Sequence, residues 1–163
     1  MEVAPADPYL LGVYADFLLD QGRAKEISRW LAPHARIDAL LLRLTEANRL
    51  LSGWNSGKVQ GQIAELGARF DAARLRGDAL HQREESRFQC RLVKNPLAAI
   101  RLARENWKVQ REPADARTFL EAARAAKDTQ ATLEILEWVR TTKLEDVTLL
   151  GQSPPQTVTN LSE

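Results

Sequence analysis

Apolar residues recur three and four positions apart along almost the whole chain, and no run of strict alternation marks a strand. The period predicts helices throughout. Leu10, Leu11, Val13, Tyr14, Phe17 and Leu18 form one stripe over about 8–20, with Asp7 as cap, Pro8 in the first turn and Gln21-Gly22 as stop. Ala24, Ile27, Trp30 and Leu31 carry a second helix to Pro33, and Ile37 to Leu51 a third, halted by the Gly53 to Gly57 loop. Val59, Ile63, Leu66 and Phe70 place a fourth at about 57–76, closed by Gly77-Asp78. A fifth, at about 79–93, stops at Asn95-Pro96, and a sixth runs from Leu97 to the break at Arg111-Glu112-Pro113. Asp115 and Asp128 stand as caps of the last two, whose stripes are Phe119, Leu120, Ala122, Ala123 and Ala126, then Leu133, Leu136 and Val139.

Eight helices fall into four pairs, with turns centred on Gln21-Gly22, the Gly53 to Gly57 loop, Lys94-Asn95 and Lys127-Asp128, at intervals of roughly 33 to 37 residues. That period predicts an all-α fold, an α-α superhelix of about eight antiparallel helices in four pairs. The helical domain spans about 1–150. The last stretch, GQSPPQTVTNLSE at 151–163, is polar and without period, and is expected to be a flexible tail.

The stretch YADFLLDQGRAKEISRWLAPH resembles a tetratricopeptide repeat, with Ala15, Gly22, Ile27 and Pro33 near the positions of that pattern. Ile27 replaces the usual alanine, and Pro33 comes early. ESRFQCRLVKNPLAAIRLARENWKVQREP is similar through Ser86, Asn95, Ala99 and Pro113. The last pair matches only in helix lengths and turn, and the second departs most; the likeness covers about residues 7–142. It implies a solenoid whose first helices line a concave groove, where basic residues hold the carboxylates of an extended peptide. VAPADP at 3–8 is also similar to REPADA at 111–116, as though a preceding repeat ended there. Two readings of that similarity stay open, a fragment of a longer repeat protein and an ordinary flexible N-terminus.

With 163 residues, 44% hydrophobic and 28% charged, the chain is long enough to bury a core without metal or disulfides. A net charge of +1 supplies no global field for nucleic acid or an anionic membrane, and the basic stretch at 81–112 lacks interleaved exposed aromatics, so no nucleic-acid partner is expected. No apolar run approaches the roughly 20 residues that span a bilayer and no signal peptide is visible, so a soluble chain without membrane insertion is expected. The compartment stays unassigned.

Candidate chemistry thins on inspection. SGWNSGKV is one residue short of a phosphate loop, with Val59 where a hydroxyl should stand, and Trp54 within it is expected to pack over helix ends. His81 and Glu85, four apart, supply two metal ligands at most, and the bland alternative is a partly buried His81 bonded to a carboxylate. His81 and Cys90 lie about 13.5 Å apart along one helix, too far for a catalytic pair. No enzyme activity, cofactor or metal is expected.

Projecting the fifth helix puts His81, Phe88 and Leu92 on one stripe and Ala79, Ser86, Cys90 and Val93 on another. Arg83, Arg87, Arg91 and Glu84 are left for solvent, with Gln82, Glu85 and Gln89 on the other side. Arg117 and Arg124, and Arg36 and Arg43, repeat a seven-residue spacing on other first helices. Arg83, Arg87, Arg91, Arg117, Arg124 and Arg43 are therefore the candidate contacts to a protein or peptide partner, an acidic one through bidentate arginine to carboxylate bonds. Two plainer uses stand beside this: a solvated face, or pairs within one helix such as Glu84 with Arg87 and Glu121 with Arg117 or Arg124. The expected function is a non-enzymatic interaction scaffold. The alternative is a structural segment that stacks on further repeats or self-associates through its terminal repeats.

Overall fold

The computed structural model describes residues 7–78 and 82–150. His81 and Ala79, most of the VAPADP stretch and the tail at 151–163 lie outside these residues. The elements are α1 (Pro8–Asp20), α2 (Ala24–Leu31), a 3-10 turn (Ala32–His34), α3 (Asp38–Ser52) and α4 (Gly57–Leu75). There follow α5 (Gln82–Phe88), extended by a π turn (Gln89–Val93), then α6 (Pro96–Val109), α7 (Pro113–Ala125), α8 (Thr129–Thr142) and the short α9 (Val147–Leu150). Among the described residues there is no strand, and the fold is all-α.

Local chemistry sets these bounds. Prolines occupy the first turns of α1, α6 and α7, where their missing N–H costs nothing. Side-chain caps close the starts: Asp7 Oδ1 accepts from Tyr9 N at 2.8 Å, Asn95 Oδ1 from Ala98 N at 3.1 Å and Asp128 Oδ1 from Ala131 N at 2.9 Å. Asp115 is not the cap of α7. It stands inside the first turn and accepts from Glu112 N at 2.8 Å, because Pro113 starts the helix earlier. Each turn within a pair passes through a left-handed residue, Gly22, Gly53, Lys94 and Lys127, which releases the chain from one helix and aims it back along the next.

The helices stack pair upon pair. α1 packs on α2, α3 on α4, α5 on α6 and α7 on α8, while the first helices touch in order, α1 on α3, α3 on α5 and α5 on α7. Two apolar cores result. One joins α1 to α5 around Leu18, Ile27, Leu41 and Phe70; the other joins α6 to α9 around Trp107, Phe119, Ile135 and Leu149. In α8 Val139 is buried and Leu136 packs against the core as expected, whereas Leu133 is exposed and Ala131 and Ile135 take the inner positions of the first turns. In α1 the expected single stripe divides: Leu11, Ala15 and Leu18 are buried, and Leu10, Val13, Tyr14 and Phe17 are exposed. None of the described helices is long and apolar enough to cross a membrane.

Candidate functional site

The first helices converge on a concave furrow holding a cavity of about 260 Å³, lined by α1, α3, α5, α7 and the segment around Thr148. Arg43, Arg83, Arg87, Arg91 and Arg117 all reach it. Five of the six candidate arginines thus share one site. Arg124, also on α7, is partly buried outside that lining, and Arg36 precedes α3 altogether.

The arginines are not a row open to solvent. Arg43 is buried under α1, its Nη2 2.7 Å from Asp16 Oδ2, its Nε donating to Gly12 O at 3.1 Å and its Nη1 to Ala39 O at 2.8 Å. Arg87 grips Glu46 with two bonds, Nε to Oε1 at 2.7 Å and Nη2 to Oε2 at 2.8 Å, and its Nη1 lies 2.7 Å from Asp16 Oδ1. Arg91 donates through Nη1 to Glu46 Oε2 at 2.9 Å and through Nη2 to Glu121 Oε2 at 2.8 Å. Arg83 reaches Asp115 Oδ1 and Glu84 Oε1, each at 3.3 Å, and Arg117 Nη1 donates to Asp20 Oδ2 at 2.7 Å. Arg87 and Arg117 pair across helices rather than with Glu84 and Glu121, in a ladder that runs across all four first helices.

The reason lies in curvature. On an isolated helix these arginines fall on the polar side, but the inner wall of a bent stack brings four polar sides together, where water is largely excluded. Charges placed there must find partners, since an unpaired buried charge costs several kcal/mol. The carboxylates that hold Arg43, Arg87 and Arg91 come from one helical position. Asp16, Glu46 and Glu121 are each the ninth residue of their helix, counted from Pro8, Asp38 and Pro113. This recurrence is the signal that a reading centred on the arginines missed.

Electrostatics follow from that geometry. Burial alone would raise Asp16, but the guanidiniums of Arg87 and Arg43 outweigh it and hold the carboxyl at about 2. Burial likewise works against charge on Glu46, and Arg87 and Arg91 prevail, keeping it below the usual range. Burial opposes the charge of Arg87 too, yet Glu46 and Asp16 push its pKa well above the ordinary value. Asp16, Glu46 and Arg87 are thereby held ionised at the centre of the ladder.

The other candidate positions fall elsewhere. Glu85 is buried rather than exposed; burial pushes its carboxyl up, and Arg74 Nε lies 3.5 Å from it, so its neighbour is a cation. Burial pushes the half-buried Cys90 thiol up to about 11, which leaves it a poor nucleophile at neutral pH. Ser86 is buried as expected and donates to Ala99 O at 2.8 Å, joining α5 to α6. Trp54 lies beneath the cations of Arg49 and Lys94, at 4.9 and 5.5 Å from its ring centre. Among the described residues no three His, Cys, Asp or Glu side chains converge in a way that could hold a metal ion.

A second surface feature adjoins the furrow, whose edge Val13 and Phe17 line, and continues along α1 toward α2. Tyr9, Leu10, Val13, Tyr14 and Phe17 stand exposed along the helix, and Tyr14 meets Trp30 of α2 edge-on with ring centres 5.2 Å apart. Beside them Tyr14, Leu18, Glu26, Arg29, Trp30 and Pro33 enclose an open hollow of about 500 Å³. The sequence is without a match among family models, curated proteins and solved structures alike.

Proposed function

We propose that this chain is a protein-interaction module of stacked helix pairs, resembling tetratricopeptide repeats, that docks a partner through the outer face of α1 and α2. The observation that carries the reading is the run of large apolar side chains left open on α1, from Tyr9 to Phe17. Contiguous exposed apolar surface of this kind marks interaction sites rather than ordinary solvated helix faces. Recognition by the face is a matter of shape and apolar contact, with no cofactor in the reading. A photo-crosslinking side chain placed at Leu10, which is exposed on α1 and outside the furrow lining, is expected to trap a protein in cells of the native source, while the same group at the exposed Leu75 on α4 traps none. Equal labelling from both positions would remove the reading.

A second reading rests on the furrow, whose cavity sets Val13, Phe17 and Thr118 beside Arg83 and Arg117. An extended segment of a partner fits such a lining, but the carboxylates that the arginines would seek are already supplied from within. Arg83 and Arg117 are the members of the ladder open enough to change without emptying its buried centre. Under this reading, Arg83→Glu with Arg117→Glu weakens capture of an acidic peptide while the thermal melt stays cooperative. Unchanged capture by that variant counts against it.

A further inference from the structure

Helices α1 and α7 are equivalent parts of the stack. Each runs 13 residues from a proline and is followed by a left-handed turn residue, Gly22 or Lys127. Setting Pro8 on Pro113 places Val13, Tyr14 and Phe17 where α7 has Thr118, Phe119 and Ala122. In α7 all three are buried, with Phe119 against Trp107 of the preceding helix at 5.9 Å between ring centres. In α1 their counterparts are 51%, 45% and 50% exposed. The outer face of α1 therefore carries the side chains of an internal helix contact without the helices that would cover it.

We propose that a second copy of this chain packs on α1 and α2 through the same face, giving a two-fold symmetric pair. The inference rests on the reading of this face as a docking surface. Area is the first argument. Tyr9, Leu10, Val13, Tyr14, Phe17 and Trp30 together expose on the order of 500 Å² of mostly apolar surface. With the rim of the hollow added, this approaches the roughly 800 Å² per partner that a stable interface buries.

Charge is the second argument. Glu26, held by Arg23 through bonds of 2.6 and 2.8 Å, and Arg29 flank the same hollow, so the rim carries charges of both signs. A two-fold pair can bring Arg29 of one copy to the free edge of the Glu26 carboxylate of the other, which a partner of uniform sign does not match. Shape agrees with this. Tyr9 and Leu10, 61% and 63% exposed, project one turn along α1 from the hollow walled by Tyr14 and Trp30, so the face carries both a knob and a socket.

Sedimentation equilibrium of the full chain across the micromolar range tests the proposal. The expected result is a monomer–dimer equilibrium that Tyr14→Glu with Phe17→Glu shifts wholly to monomer, with the helical circular dichroism spectrum unchanged and with Leu75→Glu still dimeric. A dimer that survives the double substitution overturns the proposal. A wild-type chain that stays monomeric overturns it too. If such a monomer still crosslinks to another protein from position 10, only the second copy fails and the docking face stands; if it does not, both fall.

Discussion

Helices α1 and α7 start alike, end alike and each send a carboxylate, Asp16 or Glu121, into the furrow at the same helical position. On their outer sides they part. α7 presents Thr118, Phe119 and Ala122 to neighbours that fit them, and all are buried; α1 presents Val13, Tyr14 and Phe17 at the matching positions, and all are exposed. The difference teaches that a helix's apolar pattern states what it is built to touch, while the neighbouring helices decide whether the contact is made.

Substitutions at the matched positions break this comparison most strongly. Phe119→Ala empties a fully enclosed site and is expected to cost about 4 kcal/mol in urea unfolding. Tyr14→Ala, at the equivalent place, is expected to change stability by no more than about 1 kcal/mol in chain dilute enough to be monomeric. Equal losses would mean that the face of α1 is already covered.

The matched carboxylates order themselves by enclosure. Removing Glu46, on α3 between them, leaves Arg87 and Arg91 facing each other in a buried site, and Glu46→Ala is expected to cost about 3 kcal/mol. Glu121 is partly exposed and pairs with Arg91, which Glu46 also holds, so Glu121→Ala is expected to cost about 1 kcal/mol in the same measurement.

Asp16 adds a pH signature. Its folded pKa of about 2 lies below its ordinary value of 3.8, so the carboxylate stabilises the fold above that ordinary value. Protonation removes this contribution as pH falls from about 4 toward 2, a loss of about 2 kcal/mol. Asp16→Asn is expected to flatten that part of the acid limb when stability is followed by circular dichroism. The smallest effect belongs to the direct link between α1 and α7. Asp20 and Arg117 are partly solvated, and Asp20→Asn is expected to cost less than about 1 kcal/mol, less still in high salt.

Much of the architecture was legible before any coordinates. Pro8, Asn95-Pro96 and Asp128 are local signals, and local signals locate helix starts; the turns at Gly22, Gly53, Lys94 and Lys127 followed from the same logic. The phase of α8 was harder, because Leu133 and Ile135 are equally apolar and only packing chooses between them. The geometry around the candidate arginines was less legible. Arg43, Arg83, Arg87, Arg91 and Arg117 do meet in one furrow, but their exposure was misjudged, because a helical wheel treats each helix alone. The partners of Arg87 and Arg91 on α3 stand 41 and 45 residues away, beyond the reach of any spacing rule within one helix. Asp115 shows the same limit on a small scale: a plausible cap by type, it was displaced by a proline two residues upstream.

The bond from Asp20 to Arg117 spans 97 positions and ties the first pair to the fourth, and Arg87 already ties the third to the first. Repeat arrays generally touch only their nearest neighbours, so they lengthen and shorten by whole units with little penalty. Here the inner wall is stitched across several units at once. An inserted or deleted pair between α2 and α7 would carry Asp20 and Arg117 out of register and leave the charges of Asp16, Glu46 and Arg87 without their mates. The number of units between those residues is thus fixed by electrostatics, in a class of fold that otherwise leaves it free to drift.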